Sequence, residues 1–368
     1  MTDYITGIKK TGYILEHEIT QILKKNSWSI ISNKFYEDDL AFTVREMDIL
    51  AYKASSVDDI SIYTALVISC KKNEDNAWAL ISRDINLGDP NSNWYPLHAC
   101  TNDTATREVL NSENVNKEYY KFIFNESGVS IMQPPEVDVF AFQELNKSTG
   151  KPQNDKNIFS SLTTLMKAQS YEIDAIEDRK RNNKCIYQFN LISVIDSDLI
   201  RLHLIDDNII ETQLETEQLV ARYIIKKKQQ FFRIRFIKAD SFSKYVESYN
   251  ELHASNIVFF QNQRNLFYTD LIKDLSKVNL FLKEFTNGIV YNLIRASGYK
   301  LNRESIERNI LVIWEEHKHY LRIFVTPDEI INQALNQDEE VLLKTKEYLF
   351  KIYRFTGDFK YEVDNCPF

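Results

Sequence analysis

Apolar and polar residues alternate in several short segments of the first two-thirds of the chain, a pattern that predicts half-buried β-strands. The clearest early case is 45–51, where apolar side chains at Met47, Ile49 and Ala51 alternate with Glu46 and Asp48. Alternation in a strand places every second side chain on the same face. We therefore expect both carboxylates to lie on one face of this strand.

A second predicted strand, 66–72, ends in two lysines. Its alternation places Ser69 and Lys71 on one face, and pairing with the first strand would bring Asp48 close to both. A carboxylate and a lysine in a partly buried site suit hydrolysis of phosphate esters. The carboxylate can hold a divalent cation, and the lysine can support the attacking water or the developing charge.

Helical periodicity begins at Gly12, after which Leu15, Ile19, Ile22 and Leu23 stand at helical spacing and Glu16 lies beside them. The same periodicity predicts a helix at 158–176. Further strands are predicted at 119–124, 137–145, 186–195, 199–205 and 231–237, and the Asp-Ser-Asp link at 196–198 predicts a hairpin between two of them. The polar stretch 86–115 predicts a long surface loop.

Beyond residue 255 the pattern changes, because long helical periodicity appears at 265–294, 304–314 and 339–353, with a strand at 320–325. We therefore predict two domains. Residues 1–255 form an α/β domain, a mixed β-sheet flanked by helices, and residues 256–368 form a mostly α-helical C-terminal module. The module would supply oligomerisation, a protein-partner surface or target recognition.

Composition excludes several classes of protein. A hydrophobic content of 43% with 12% aromatic residues is typical of a globular chain. No apolar run is long enough to cross a bilayer and no signal peptide is visible, so we expect a cytoplasmic protein without a membrane partner. The four cysteines are scattered, which predicts reduced thiols and no structural zinc site. The net charge of −8 argues against non-specific adhesion to nucleic acid, although a basic groove can exist on an acidic protein.

The order of helical Glu16, strand Asp48 and strand Lys71 resembles the PD-(D/E)xK nuclease superfamily. Gly12, Trp28 and the 45–48 segment are similar to the Mrr-like restriction endonuclease branch in particular. The resemblance implies a restriction-endonuclease-like fold and a Mg²⁺-dependent (or Mn²⁺-dependent) endonuclease that hydrolyses DNA, in restriction or anti-phage defence. The departure is Ser69, which stands where the family has a glutamate.

The resemblance also implies a role for each residue. Asp48 would be the principal metal ligand, with Glu16 and Glu46 as outer or second ligands. Lys71 would orient the water and stabilise charge, and Ser69 would at best hydrogen-bond a metal-bound water. The altered Ser69 leaves a second interpretation open, in which the site is degenerate and the domain binds nucleic acid or a partner protein without cutting.

Two arginines form a separate candidate nucleic-acid surface. Arg233 and Arg235 share one face of a predicted strand, and three lysines at 226–228 lie just before them. If this face borders the cleft, it would contact the phosphate backbone without reading sequence. The alternative is a strand face that is simply solvated.

Overall fold

The computed structural model describes residues 4–38, 43–179 and 183–363, and for residues 177–179 it describes the backbone alone. The chain divides into two compact units, 1–261 and 262–368. The division falls within one long helix, Phe242–Thr269, as does the boundary predicted at residue 255. Apolar periodicity continues through this helix, so the sequence offers no linker at which the units separate.

The described helices of the first unit are α1 (Tyr4–Lys9), α2 (Gly12–Lys25), α3 (Thr104–Leu110), α4 (Val115–Tyr120), α5 (Lys156–Arg179) and α6 (Phe242–Thr269), which runs on into the second unit. Short π and 3₁₀ turns lie at Lys121–Glu126, Ser130–Met132 and Ala239–Ser241. The described strands are β1 (Ser29–Asp38), β2 (Thr43–Val57), β3 (Ile60–Lys72), β4 (Asn76–Asp84), β5 (Ala99–Thr101), β6 (Val137–Asn146), β7 (Lys184–Asp196), β8 (Leu199–Ile205), β9 (Asn208–Gln213), β10 (Thr216–Ile225) and β11 (Lys228–Lys238).

These strands form two sheets. The larger has seven strands in the order β1-β2-β3-β7-β11-β10, with β5 paired to β7, and the smaller has the order β6-β4-β8-β9. β7 runs parallel to both β3 and β11, whereas β1, β2 and β3 are joined antiparallel. The predicted mixed sheet flanked by helices is therefore confirmed.

Helices cover both faces of the larger sheet. On one face, Ile49 and Ile68 pack with Leu15 and Ile19 of α2 and with residues of α6. On the other face, side chains that include Val67 pack against α5. The near-continuous burial of β3 reflects this double cover, because a strand between two helical layers exposes neither face to water.

Three sequence predictions fail in this unit. The segment 119–124, predicted as a strand, lies in α4 and the π turn after it. β8 does not form a hairpin with β7, because the two edges of β7 are already taken by β3 and by β11 with β5; β8 pairs instead with β4 and β9. The predicted loop 86–115 contains β5 and α3, whose first turn is capped by the Asp103 carboxylate.

The second unit is mainly helical, as predicted. Its described elements are α7 (Leu275–Ala296), α8 (Arg303–Asn309), α9 (Glu329–Gln337), α10 (Glu339–Tyr353), and a three-stranded sheet of β12 (Leu311–Glu315), β13 (Tyr320–Phe324) and β14 (Phe359–Tyr361). The predicted helix 304–314 is wrong in its second half, which pairs with β13 as a strand. None of the helices described in either unit is long and apolar enough to cross a membrane.

Candidate active site

The candidate site lies where two neighbouring strands stop pairing. β2 and β3 pair from Val57 opposite Ile60 to Ile49 opposite Ile68, and the register ends there. One residue further, the Asp48 Oδ2 atom accepts a hydrogen bond from the Cys70 main-chain N–H at 2.6 Å. Because the N–H and C=O of one strand residue point to the same edge, the Cys70 carbonyl also faces this opening.

Lys71 reaches the same opening. Its Nζ atom lies 3.7 Å from Asp48 Oδ2, and both side chains are mostly buried, with 27% and 17% of their surfaces exposed. The structure thus brings together the aspartate and the lysine that the sequence placed on adjacent strands. At this distance the ammonium group balances the carboxylate in a partly desolvated position.

Glu16 approaches from α2, one helical turn after Gly12. A methyl group added at Gly12 would lie 3.7 Å from Glu16 Oε1 and 3.8 Å from the Cys70 carbonyl oxygen, so both oxygens border the same small space. Burial raises the pKa of Glu16 to about 7, and the nearby Asp48 and Glu46 carboxylates add to the increase, while Lys71 opposes it. A carboxyl group with this pKa changes its charge near neutral pH.

Glu46 is held by an unusual residue of the neighbouring strand. Its Oε1 atom accepts a 2.8 Å hydrogen bond from Asn33 Nδ2, and Asn33 has a left-handed backbone with φ of 51°. The β1–β2 register passes from Ser32 opposite Ile49 to Lys34 opposite Met47 and omits Asn33 and Asp48. Asparagine tolerates this conformation better than most residues, which permits the interruption inside a strand.

Because of this interruption, the prediction that Met47, Ile49 and Ala51 share one face of β2 is wrong. Met47 packs in the core layer of α5, whereas Ile49 and Ala51 pack in the layer of α2 and α6, so the three do not share a face. Strict alternation therefore fails at Asp48. At this break the Asp48 carboxylate accepts from the Cys70 N–H at the edge of β3.

Ser69 shares a face of β3 with Lys71, and its predicted hydrogen bond to a metal-bound water stays a prediction. It stands opposite Ser193 of β7, whose hydroxyl lies 2.9 Å from the Ser161 hydroxyl on α5. Paired residues of parallel strands share a face, so Ser69 lies on the α5 side. Its side chain is fully buried, and its Oγ atom makes no hydrogen bond within the described part of the chain.

Arg233 and Arg235 are likewise used inside the protein. Arg235 is only 7% exposed and donates to the Ile131 carbonyl at 2.7 Å. Arg233 donates to the carbonyls of Ile131 and Met132. These guanidinium groups hold the 131–132 turn against β11, which does not fit a solvated strand face, and the predicted DNA contact stays a prediction.

The donor set fits a hard divalent cation with water in its shell. Asp48, Glu16 and the Cys70 carbonyl offer oxygen atoms, and the Glu46 carboxylate is near enough to Glu16 to raise the pKa of that group. No cluster of three or more His, Cys, Asp or Glu side chains suited to a metal occurs among residues 4–38, 43–179 and 183–363. Mg²⁺ commonly binds through one or two carboxylates and keeps several waters, which suits two carboxylates and a carbonyl.

The Cys70 thiol is not part of this set. It is buried in the layer that contacts α2, and burial raises the pKa of the thiol well above its ordinary value, with the Asp48 and Glu16 carboxylates adding to the effect. Sequence reasoning missed the contribution of the Cys70 main chain and of Asn33. Neither leaves a sequence signal, since one acts through its backbone and the other through a rare φ angle.

No protein-family model matches this chain, and no curated protein or solved structure is significantly similar to it.

Proposed function

We propose that this protein is a Mg²⁺-dependent nuclease that hydrolyses phosphodiester bonds in DNA, with a restriction-endonuclease-like sheet as its framework. The observation that supports the proposal most strongly is the meeting of Asp48, Lys71, Glu16 and the Cys70 carbonyl at the open end of β2 and β3. An acid, a lysine and a second acid in one desolvated opening are the groups that such hydrolysis needs. The choice of DNA, and a role in restriction or anti-phage defence, follow from the resemblance to Mrr-like enzymes.

Each side chain has a distinct part in this proposal. Asp48 and Glu16 would hold the cation, with the Cys70 carbonyl as a neutral ligand and Glu46 hydrogen-bonding its waters. A bound divalent cation supplies a Lewis acid and lowers the pKa of a bound water. Lys71 would then orient the attacking water and place positive charge beside the phosphoryl oxygens, which carry more negative charge in the transition state.

The carboxylates also make the cation necessary for substrate to approach. Asp48, Glu16 and Glu46 together place up to three negative charges against one lysine at the opening. A phosphodiester would be repelled by this site unless a divalent cation balanced it. Substrate and cation are therefore expected to bind together.

The test is a cleavage assay on plasmid, linear DNA and RNA with Mg²⁺ or Mn²⁺, comparing the parent with Asp48→Asn. Asp207→Asn, in the exposed turn between β8 and β9, is the matched control because it changes the same chemical group away from the site. We expect cleavage that requires the cation, is lost in Asp48→Asn and persists in Asp207→Asn. Equal cleavage by parent and Asp48→Asn, or cleavage in excess chelator, would contradict the proposal.

A second candidate function is a non-catalytic domain of the same fold that binds nucleic acid or a partner protein. The observation that favours it is Ser69, whose buried hydroxyl leaves the site without the acid that the family places there. Calorimetric titration with Mn²⁺ separates the two. A domain that only binds nucleic acid or protein needs no cation. If Mn²⁺ does not bind, or binds equally well to Asp48→Asn, the result would support this second function.

A further inference from the structure

A cavity of about 440 Å³ opens in the first unit between β6, β10 and the beginning of α5. None of the residues proposed for hydrolysis lines it. Phe140 and Phe159 stand on its walls with 46% and 55% of their surfaces exposed, and Trp94 and Phe231 lie deeper. Exposed aromatic rings facing one cavity are the usual lining of a site for a flat organic group.

Two arginines of this lining lie beside its aromatic rings. The Arg83 guanidinium lies 5.2 Å from the centre of the Phe140 ring, and its Nε atom donates to Asp138 Oδ2 at 2.8 Å. The Arg222 guanidinium lies 5.3 Å from the centre of the Phe231 ring and donates through Nη2 to the carbonyl of Asn91 at 2.6 Å. Both groups thus have a hydrogen-bond partner in the protein and lie beside an aromatic ring of the cavity.

The charges in the cavity balance. Arg83 and Arg222 are matched by Asp138 and Asp89, which also line it. A phosphate group would be repelled by the two carboxylates although the guanidinium groups attract it. A hydrocarbon would displace water from all four charged side chains and would not replace the hydrogen bonds that the water made. The ligand that fits is flat, close to neutral and able both to donate and to accept hydrogen bonds at its edge. A nucleobase has these properties.

α5 links this cavity to the proposed active site. Ser161 on α5 contacts Ser193, which stands opposite Ser69, and Lys71 follows two residues later on the same strand. Phe159 is two residues before Ser161 on the helix. Following this path with the helix and strand dimensions, the cavity wall lies within roughly 25 Å of Lys71. A nucleic-acid strand held at the site could reach the cavity with a base a few nucleotides away.

We propose that this cavity binds an unpaired nucleobase, supplied by the strand on which the Asp48 site acts. The choice of strand as the source rests on the proposed function, whereas the nucleobase chemistry does not. Because a base must leave the stack to enter the cavity, single-stranded or locally unpaired nucleic acid is the preferred ligand. A free nucleotide is the other source of the same chemistry.

The test measures binding without cleavage. Fluorescence anisotropy of a labelled single-stranded oligonucleotide, and of the same sequence as a duplex, is recorded with the Asp48→Asn protein. Phe140→Ala and Phe159→Ala are added singly to it, with Phe350→Ala, a 62% exposed phenylalanine of α10, as the control. We expect tighter binding of the single strand, and a Kd increase of about tenfold in each cavity variant but not in the control.

A second arm identifies the source of the base. Thymidine and adenosine monophosphates are titrated alone and as competitors. Mononucleotide binding that depends on Phe140, without any preference for the single strand, retains the nucleobase assignment and moves its source to a free nucleotide. If neither ligand responds to Phe140→Ala and Phe159→Ala in variants with unchanged thermal melting, the assignment is overturned.

The two proposals fail separately. If nucleic-acid binding depends on Phe140 but the parent protein cleaves no substrate, the nuclease proposal is contradicted and the nucleobase proposal is supported. The opposite result is metal-dependent cleavage together with equal affinity for single strand and duplex, where neither phenylalanine variant changes that affinity. It would support the nuclease proposal and contradict the nucleobase proposal.

Discussion

The Asp48 carboxylate takes the place of a strand neighbour for Cys70, accepting the main-chain N–H at 2.6 Å just beyond the last β2–β3 pair. The contact has two consequences. It satisfies a backbone donor that the separating strands would leave unpaired, and it fixes the carboxylate 3.7 Å from Lys71 Nζ. One hydrogen bond therefore serves both the fold and the candidate site.

These two roles of Asp48 can be separated by substitution. Asp48→Asn keeps an oxygen that accepts from Cys70, so we expect a free energy of unfolding close to that of the parent. Asp48→Ala leaves the donor unpaired and should cost about 1–3 kcal/mol. Both variants should lose cleavage. Urea denaturation beside the cleavage assay checks this, and an Asp48→Ala protein as stable as the parent would argue against the structural role.

Lys71 should affect the chemical step and not the binding of the cation. Lys71→Met removes the charge, so we expect kcat to fall by about 100-fold or more while Mn²⁺ binding is retained or tightened, because the lysine no longer competes for Asp48. Lys318→Met, in the exposed turn between β12 and β13, is the control. Loss of Mn²⁺ binding in Lys71→Met, measured by calorimetry, would assign the lysine a different role.

Glu16 makes cation binding depend on pH. Since its pKa is raised to about 7, the group is largely protonated below neutral pH and must lose its proton to bind a cation. We expect the apparent Mn²⁺ affinity of the parent to rise between about pH 6 and pH 8. Glu16→Gln should bind more weakly at pH 8 and show a flatter profile. A parent profile as flat as that of the variant would exclude Glu16 as a ligand.

The same group should affect stability in the opposite direction. Between its ordinary pKa of 4.5 and its folded pKa of about 7, the folded protein binds more protons than the unfolded chain. The contribution of Glu16 to the free energy of unfolding is therefore fully present below pH 4.5 and falls as the pH rises toward 7. Denaturation of parent and Glu16→Gln across this range, without cation, should show this difference in slope.

Ser69 offers a test of the degenerate-site interpretation. Its hydroxyl is fully buried, so without a cation Ser69→Glu should bury an unpaired charge and should destabilise the fold by about 3 kcal/mol or more. Ser69→Ala should be close to neutral. Ser29→Glu, at an exposed position of β1, is the control. A stable Ser69→Glu protein with new metal-dependent cleavage would show that the side chain does reach the site.

Arg235 should matter for folding and not for DNA. Arg235→Met leaves the Ile131 carbonyl with one donor fewer, and we expect a loss of about 2 kcal/mol in the free energy of unfolding with unchanged DNA affinity. Lys228→Met, exposed on the same strand, should change stability little. Weaker DNA binding by a fully stable Arg235→Met protein would restore the predicted phosphate contact.

The sequence by itself determined the class of the fold, the apolar core of its strands and the order of Glu16, Asp48 and Lys71 along the chain. Those features depend on local periodicity, which survives in the linear pattern of side chains. Periodicity misled at 119–124, where apolar and aromatic residues suit a buried helix as well as a strand. The strand predicted at 199–205 is confirmed, but the hairpin predicted at 196–198 is wrong, because which edge of β7 is free is a property of the assembled sheet.

Only the tertiary structure decided how the site is built. Alternation predicted that Glu46 and Asp48 would lie over one face, but the β1–β2 register omits Asn33 and Asp48, and the Asp48 carboxylate accepts from the Cys70 main chain. The tertiary structure also decided that Ser69 and Arg235 are buried. The sequences of β3 and β11 do not show that α5 covers the first residue and that the 131–132 turn covers the second. A strand's sequence shows which side chains share a face. What covers that face depends on residues far away in the chain.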